Sequence, residues 1–255
     1  MNKRNIAPAL RYNLHDYFRA AGIFYVIIAV ITVVIIATFL LQKQPAGSDY
    51  SIIMFSMAAT ITVFVFGICS VRDDLRLCLQ HGVGRISAFW AELVASVLVC
   101  LALAVACELL LALTQFATQN YDNIFVGDIY QLVFLREQTG ALSVSQHLAG
   151  ILFSFPLLLV AHSCGMFFSL LFFRLNKRWT VIVAIGLPVF FLIGLPYLST
   201  IPAISHVLGP VVIKSLDFIF SGVGQWSLCL FLAALILTFL NWLLIRRTPI
   251  KAAKA

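Results

Sequence analysis

Few side chains in this 255-residue sequence are able to do chemistry inside a long apolar run: Glu92, Glu108 and the adjacent pair His162-Ser163. Ionisable groups at membrane depth are costly, so each must be paired or functional. Glu92 and Glu108 fall on one predicted helix, sixteen residues apart, which separates them by about 24 Å along the axis and about 160° around it. They cannot act together as a carboxylate pair. Glu92, near the start of that helix, is placed to snorkel or to pair with Arg85. Glu108 is the better candidate to line a polar path, the alternative being a hydrogen-bonded packing residue. His162 and Ser163 point about 100° apart on a helix, so they do not face each other as base and nucleophile. His162 reads as a hydrogen-bonded structural histidine or as part of the same path.

Other chemistries lack their motifs. An intramembrane serine protease needs Gly-x-Ser-Gly within a span, whereas Ser221-Gly222 follows Ile219 and Phe220 outside the apolar runs. There is no His-Glu-x-x-His, no Cys-x-x-Cys and no Gly-x-x-x-x-Gly-Lys phosphate loop. The chain is therefore read as a non-enzyme, with no catalytic residues, no metal site and no bound cofactor. Of the six cysteines, Cys69, Cys100, Cys107, Cys164 and Cys229 lie in apolar runs and Cys78 lies between two of them. That distribution points to packing rather than a disulfide framework or metal ligands.

The elements that position these residues follow from composition. With 62% hydrophobic and only 11% charged residues, against about 25% charged in a soluble domain, the chain reads as one all-α polytopic membrane unit with no separate soluble domain. A bilayer core of about 30 Å needs about 20 helical residues. Six runs qualify: about 21–41, 51–71, 88–116, 147–173, 179–198 and 225–245.

Charge then orients them. Lys3, Arg4, Arg11 and Arg19, then Arg72, Arg76 and Arg85, then Arg174, Lys177 and Arg178, then Arg246, Arg247, Lys251 and Lys254 all fall on one side. Only Lys43, Arg136 and Lys214 are left opposite. This bias places both termini in the cytoplasm. The net charge of +7 thus reports topology, not nucleic-acid binding, since no continuous basic face exists.

Three segments between or before the spans carry further information. In 1–19, Leu10, Leu14, Tyr17 and Phe18 recur at helical spacing, with Arg11, His15, Asp16 and Arg19 between them. That predicts an interfacial helix that bends into the first span, the alternative being a plain basic juxtamembrane tail. From Arg72 to Arg85, Leu75, Cys78 and Leu79 share a face and Gly82 is placed for a left-handed stop. The segment is a short force-transmitting helix or a plain basic connector. The external stretch 199–224 is apolar but broken by Pro202, Gly209 and Pro210, which suits a re-entrant or interfacial segment. The other long external loop, 117–146, is polar and large enough for a small cap.

This layout resembles the permease subunits of ATP-binding cassette exporters, the type that includes polysaccharide and drug exporters. The local match runs from Arg72 to Glu92, through Leu75-Arg76-Leu77, Gly82-Val83-Gly84-Arg85 and Phe89 to Leu93, with a second at Gly165 to Arg178. The resemblance implies that Arg72, Leu75, Arg76, Leu79, Gly82 and Arg85 couple to a separate cytoplasmic ATPase, which carries the ATP and magnesium. It implies that Pro202, Gly209 and Pro210 belong to an external gate, and that a second permease half, identical or related, completes the path. Gly165 and Gly186 would then permit close helix packing. The location implied is a bacterial plasma membrane, and the cargo an antimicrobial peptide, drug or lipid. A non-transporting assembly or sensory subunit is the alternative, followed by an ion-coupled secondary carrier using Glu108 and His162.

Overall fold

Without water to bond exposed peptide groups, apolar runs of this length satisfy their backbones as helices, and the computed structural model of the chain bears this out. It describes residues 6–41, 50–53, 55–72, 77–78, 80–119, 124–135, 142–190, 210 and 213–246. Along the chain come α1 (Ile6–Leu41), β1 (Tyr50–Ile53), α2 (Phe55–Arg72), α3 (Arg85–Thr118), β2 (Ile124–Gly127), α4 (Ile129–Phe134), α5 (Val144–Arg174), α6 (Lys177–Val189) and α7 (Val223–Arg246). Residues 213–220 are also helical.

Among the described residues, four helices are long and apolar enough to cross a membrane: α1, α3, α5 and α7. The apolar helix α2 is shorter, and of the expected fifth span only the part up to residue 190 is described. Rows of apolar side chains face outward, including Val26, Val30, Val33 and Val34 on α1 and Leu228, Leu232, Leu235 and Phe239 on α7. In a water-soluble fold such surfaces would be a large liability; in lipid they are the solvent-matched face.

Helix α5 is the hub, packed against α2, α7 and α3, while α1 lies along α3. The α2–α5 contact is close because each helix contributes a glycine. A Cβ on Gly67 would collide with the His162 carbonyl, and one on Gly165 with the Phe64 carbonyl. Gly165 therefore does what small residues do between membrane helices. At Gly186, expected to do the same, a Cβ would meet nothing within 4 Å among the described residues. Helix α7 is held to α5 by Asn241 Nδ2, which donates to the Ser163 carbonyl at 2.9 Å, and by the Ser227 hydroxyl, which donates to the Leu152 carbonyl at 2.8 Å.

The all-α reading holds for the bundle, and details of the layout differ. A small parallel sheet is added, in which Tyr50, Ser51, Ile52 and Ile53 pair with Ile124, Phe125, Val126 and Gly127. Residues 51–53 are consequently strand and the second helix starts at Phe55; Tyr50, Ile52 and Ile53 are strand-favouring types beside a partner edge. The boundary drawn between an interfacial helix at 1–19 and a first span at 21–41 does not separate two elements, because α1 is continuous over 36 residues. At about 54 Å it exceeds the bilayer core by several turns. Its first turns lie on α3: Ala9, Asn13, Tyr17 and Ala21 are buried, whereas Arg11, His15, Asp16 and Arg19 are exposed. Phe18, part of the same apolar stripe in the sequence, is exposed.

Candidate functional site

The two carboxylates of α3 each meet a histidine of α5, at opposite ends of the bundle. Glu92 sits about 10 Å into α3. Asn13 and Tyr17, one turn apart on the buried stripe of α1, reach it from one side: Asn13 Nδ2 donates to Oε2 at 2.9 Å and the Tyr17 hydroxyl donates to Oε1. From α5, His162 Nε2 lies 3.3 Å from Oε1, within ion-pair range but outside hydrogen-bond alignment. All four side chains are buried. The Tyr17 ring also stacks on Phe66 and meets His162 edge-on, so one carboxylate gathers α1, α2, α3 and α5. The expected pairing of Glu92 with Arg85 is not formed. Arg85 lies two turns away, while the donors of α1 and α5 are directly opposite the carboxylate.

Glu108 is built differently. Its Oε2 accepts from His147 Nδ1 at 3.0 Å, and its Oε1 is buried with no partner. A Cβ on Gly150 would occupy the position of Oε1, so Gly150 is what makes room for the carboxylate. One turn away on α3, the Tyr25 hydroxyl donates to the Leu103 carbonyl at 2.6 Å and lies 3.2 Å from Cys107 Sγ. Glu108 and His162, read as one path, thus belong to two separate clusters.

Beyond Glu108 the described part of the segment between α3 and α5 forms a structured cap. Asp128 caps α4, accepting from the Ile129 amide at 2.8 Å, and also binds the Ser56 amide at 3.1 Å and the Ser56 hydroxyl. Burial pushes its carboxyl above the usual range, and the bonds from Ser56 and Ile129 pull it back in part. Gln115 Nε2 donates to the Val126 carbonyl at 3.0 Å and to Gln131 Oε1 at 3.3 Å, while its Oε1 accepts from the Leu142 amide at 3.3 Å. Phe153 stacks on Trp226 at 4.9 Å, and Tyr130 packs against Phe153. These bonds tie the ends of α2, α3, α5 and α7 together.

At the opposite end, the segment between α2 and α3 turns at Gly82, whose φ is +74°. The His81 amide bonds the Leu77 carbonyl and the Val83 amide bonds the Cys78 carbonyl, the pattern of a glycine-terminated helix. Cys78 is buried with Ala9, Ala88 and Ala91, which fixes this turn to the feet of α1 and α3. Of the residues assigned to coupling, Gly82 and Arg85 are described and Arg72 ends α2; Leu75, Arg76 and Leu79 lie outside the described residues. Of the gate residues, Pro210 is exposed, and Pro202 and Gly209 lie outside them. All six cysteines are free, with Cys100 and Cys107 in the main apolar core.

Sequence reasoning missed the partners of Glu92. The available signal was Asn13 and Tyr17 at i and i+4, a buriable amide and phenol in line on the apolar stripe of α1. His147, Asp128 and Ser56 carried no comparable periodic signal. No protein-family model matches the chain, and no curated protein or solved structure matches it.

Proposed function

We propose that this chain is the membrane-spanning permease half of an ATP-driven exporter, crossing a bacterial plasma membrane six times with both termini in the cytoplasm. The observation that carries the reading is the glycine-terminated turn between α2 and α3, anchored through Cys78 to the starts of α1 and α3. A docking segment can move transmembrane helices only if it is fixed to them, and this one is packed on two. In this reading Arg72, Leu75, Arg76, Leu79, Gly82 and Arg85 couple to a separate ATPase that supplies ATP and magnesium. The exposed apolar side chains of α6, Trp179, Val181 and Ile182, suit lipid or a second half. Residues 199–224 form the external gate, and the cargo is an amphipathic peptide, drug or lipid.

The test is affinity purification of the tagged protein in mild detergent. An ATPase should co-purify and should be lost when Leu75 and Leu79 are both changed to Asp. Absence of any ATPase with the wild-type chain overturns the reading. Retention of the ATPase without ATP-dependent cargo movement in vesicles would select the assembly or sensory alternative. The Glu–His pairs favour a carrier as the second reading; it requires cargo movement driven by a proton gradient without an ATPase.

A further inference from the structure

At the end of the bundle where α1 begins and α7 ends, the first turn of α3 and the last turn of α7 flank a cleft of about 530 Å³. Gly84, Arg85, Ile86, Ser87 and Arg246 line it. Its chemistry is that of an anion site. The first amides of a helix have no intrahelical acceptor and carry the positive end of its dipole. Helix α3 begins at Gly84, which offers no side-chain cap, and its first turn holds Arg85 but no acidic residue. A cation at a helix N-terminus is unfavourable on its own, so the arrangement calls for a negative partner.

Two observations besides the helix dipole point the same way. Ser87 is 8% exposed, lines the cleft and has no hydrogen-bond partner for its side chain among the described residues. Arg246 lies 4.7 Å from the centre of the Trp242 ring, which orients its guanidinium, and neither Arg85 nor Arg246 has a carboxylate within ion-pair distance among the described residues. Beside the cleft, Ile86 and Trp90 are exposed one turn apart on α3. A phosphate held by Ser87 and the two arginines would leave attached acyl chains to run along that apolar strip, and Trp90 and Trp242 suit the boundary between headgroups and hydrocarbon.

We propose that this cleft binds the phosphate of an anionic phospholipid headgroup from the adjoining leaflet. Arg85 and Arg246 supply the charge, Ser87 donates a hydrogen bond, and the free amides of the α3 N-terminus complete the cradle. The site needs no transport activity, although it shares Arg85 with the coupling segment of the exporter reading.

The full chain is purified in mild detergent, offered phosphatidylglycerol or phosphatidylcholine with matched acyl chains, and its bound lipid is read by native mass spectrometry. The wild type should retain phosphatidylglycerol preferentially. Changing Arg85→Gln and Arg246→Gln together should lower that retention about thirtyfold, from about one unit of Lys or Arg surface attraction per residue. Ser87→Asp provides a second variant whose new carboxylate suits the helix dipole and so preserves the fold, while repelling an anion from the cleft; it should lose the same selectivity. Equal retention by the wild type and the Ser87→Asp variant overturns the proposal. So does protection of the cleft by inorganic phosphate without any preference for phosphatidylglycerol, which would assign it to a soluble anion.

Discussion

Near the start of α3, Glu92 takes donors from α1 and faces a histidine of α5; about 24 Å further along the same helix, Glu108 meets a single histidine at the start of α5. Both carboxylates are buried, yet the first has both oxygens engaged and the second leaves one oxygen without a partner. Removing a carboxylate that several helices converge on strands its donors in an apolar medium. Removing one that is half satisfied strands much less. The Glu92 cluster is thus a clamp, whereas the Glu108 pair leaves one oxygen against Gly150 of α5 with no hydrogen-bond partner among the described residues.

The sharpest way to break this contrast is Glu92→Leu. It leaves Asn13 Nδ2, the Tyr17 hydroxyl and His162 buried without their acceptor, at an expected cost of about 2–4 kcal/mol, allowing for the modest worth of each interhelical bond in a membrane. Denaturant titration in detergent should show the loss, with Glu92→Gln recovering much of it. A wild-type midpoint for Glu92→Leu would remove the clamp from the description.

The glycines give a second comparison. At Gly67 an added methyl meets the His162 backbone, which cannot move without shifting α5, so Gly67→Ala should cost about 1–3 kcal/mol. At Gly150 the methyl meets only the end of the Glu108 side chain, which can swing aside, so Gly150→Ala should cost less than about 1 kcal/mol. The two thermal midpoints, measured side by side, decide it. Equal losses would show that the Glu108 side chain is held as rigidly as the α5 backbone at His162.

The cap supplies the pH-dependent case. Because burial raises the Asp128 carboxyl above its ordinary range, the folded state binds its proton more tightly than the unfolded state does. That contribution is fully present below the usual carboxylate range and is lost as pH rises through the raised value. Asn caps a helix as well as Asp, so Asp128→Asn should match the wild type within about 1 kcal/mol at acid pH. Across that window the variant's stability should stay flat while the wild type declines. A parallel decline in both proteins would assign the titration to another group.

How much of this the sequence discloses depends on the range of the interaction. Helices α3, α5 and α7 are readable because hydropathy over about 20 residues is a local signal, and the Gly82 stop because a positive φ selects glycine locally. The clamp is not, since Asn13 and Glu92 are 79 residues apart and nothing local to Glu92 names its donors. The strand Tyr50–Ile53 was absorbed into an apolar run because a short apolar segment has no period that separates strand from helix. Gly186 illustrates the converse: its residue type allows close packing, and among the described residues of this chain nothing lies within 4 Å of a Cβ there.

The smallest expected effect is the one that sharpens the contrast most. Glu108→Gln keeps an acceptor toward His147 and leaves the buried position of Oε1 without a partner, as it is in the wild type. Its stability should therefore stay within about 0.6 kcal/mol of the wild type, the average scale of one interhelical hydrogen bond in a membrane. A double-mutant cycle with His147→Ala should return a coupling of similar size, whereas the corresponding cycle between Glu92→Gln and Tyr17→Phe should return a larger one. If the Glu108–His147 coupling instead exceeds that of Glu92 with Tyr17, the Glu108 pair is the main polar tie of the bundle. The clamp would then have to be moved to the other end of α3.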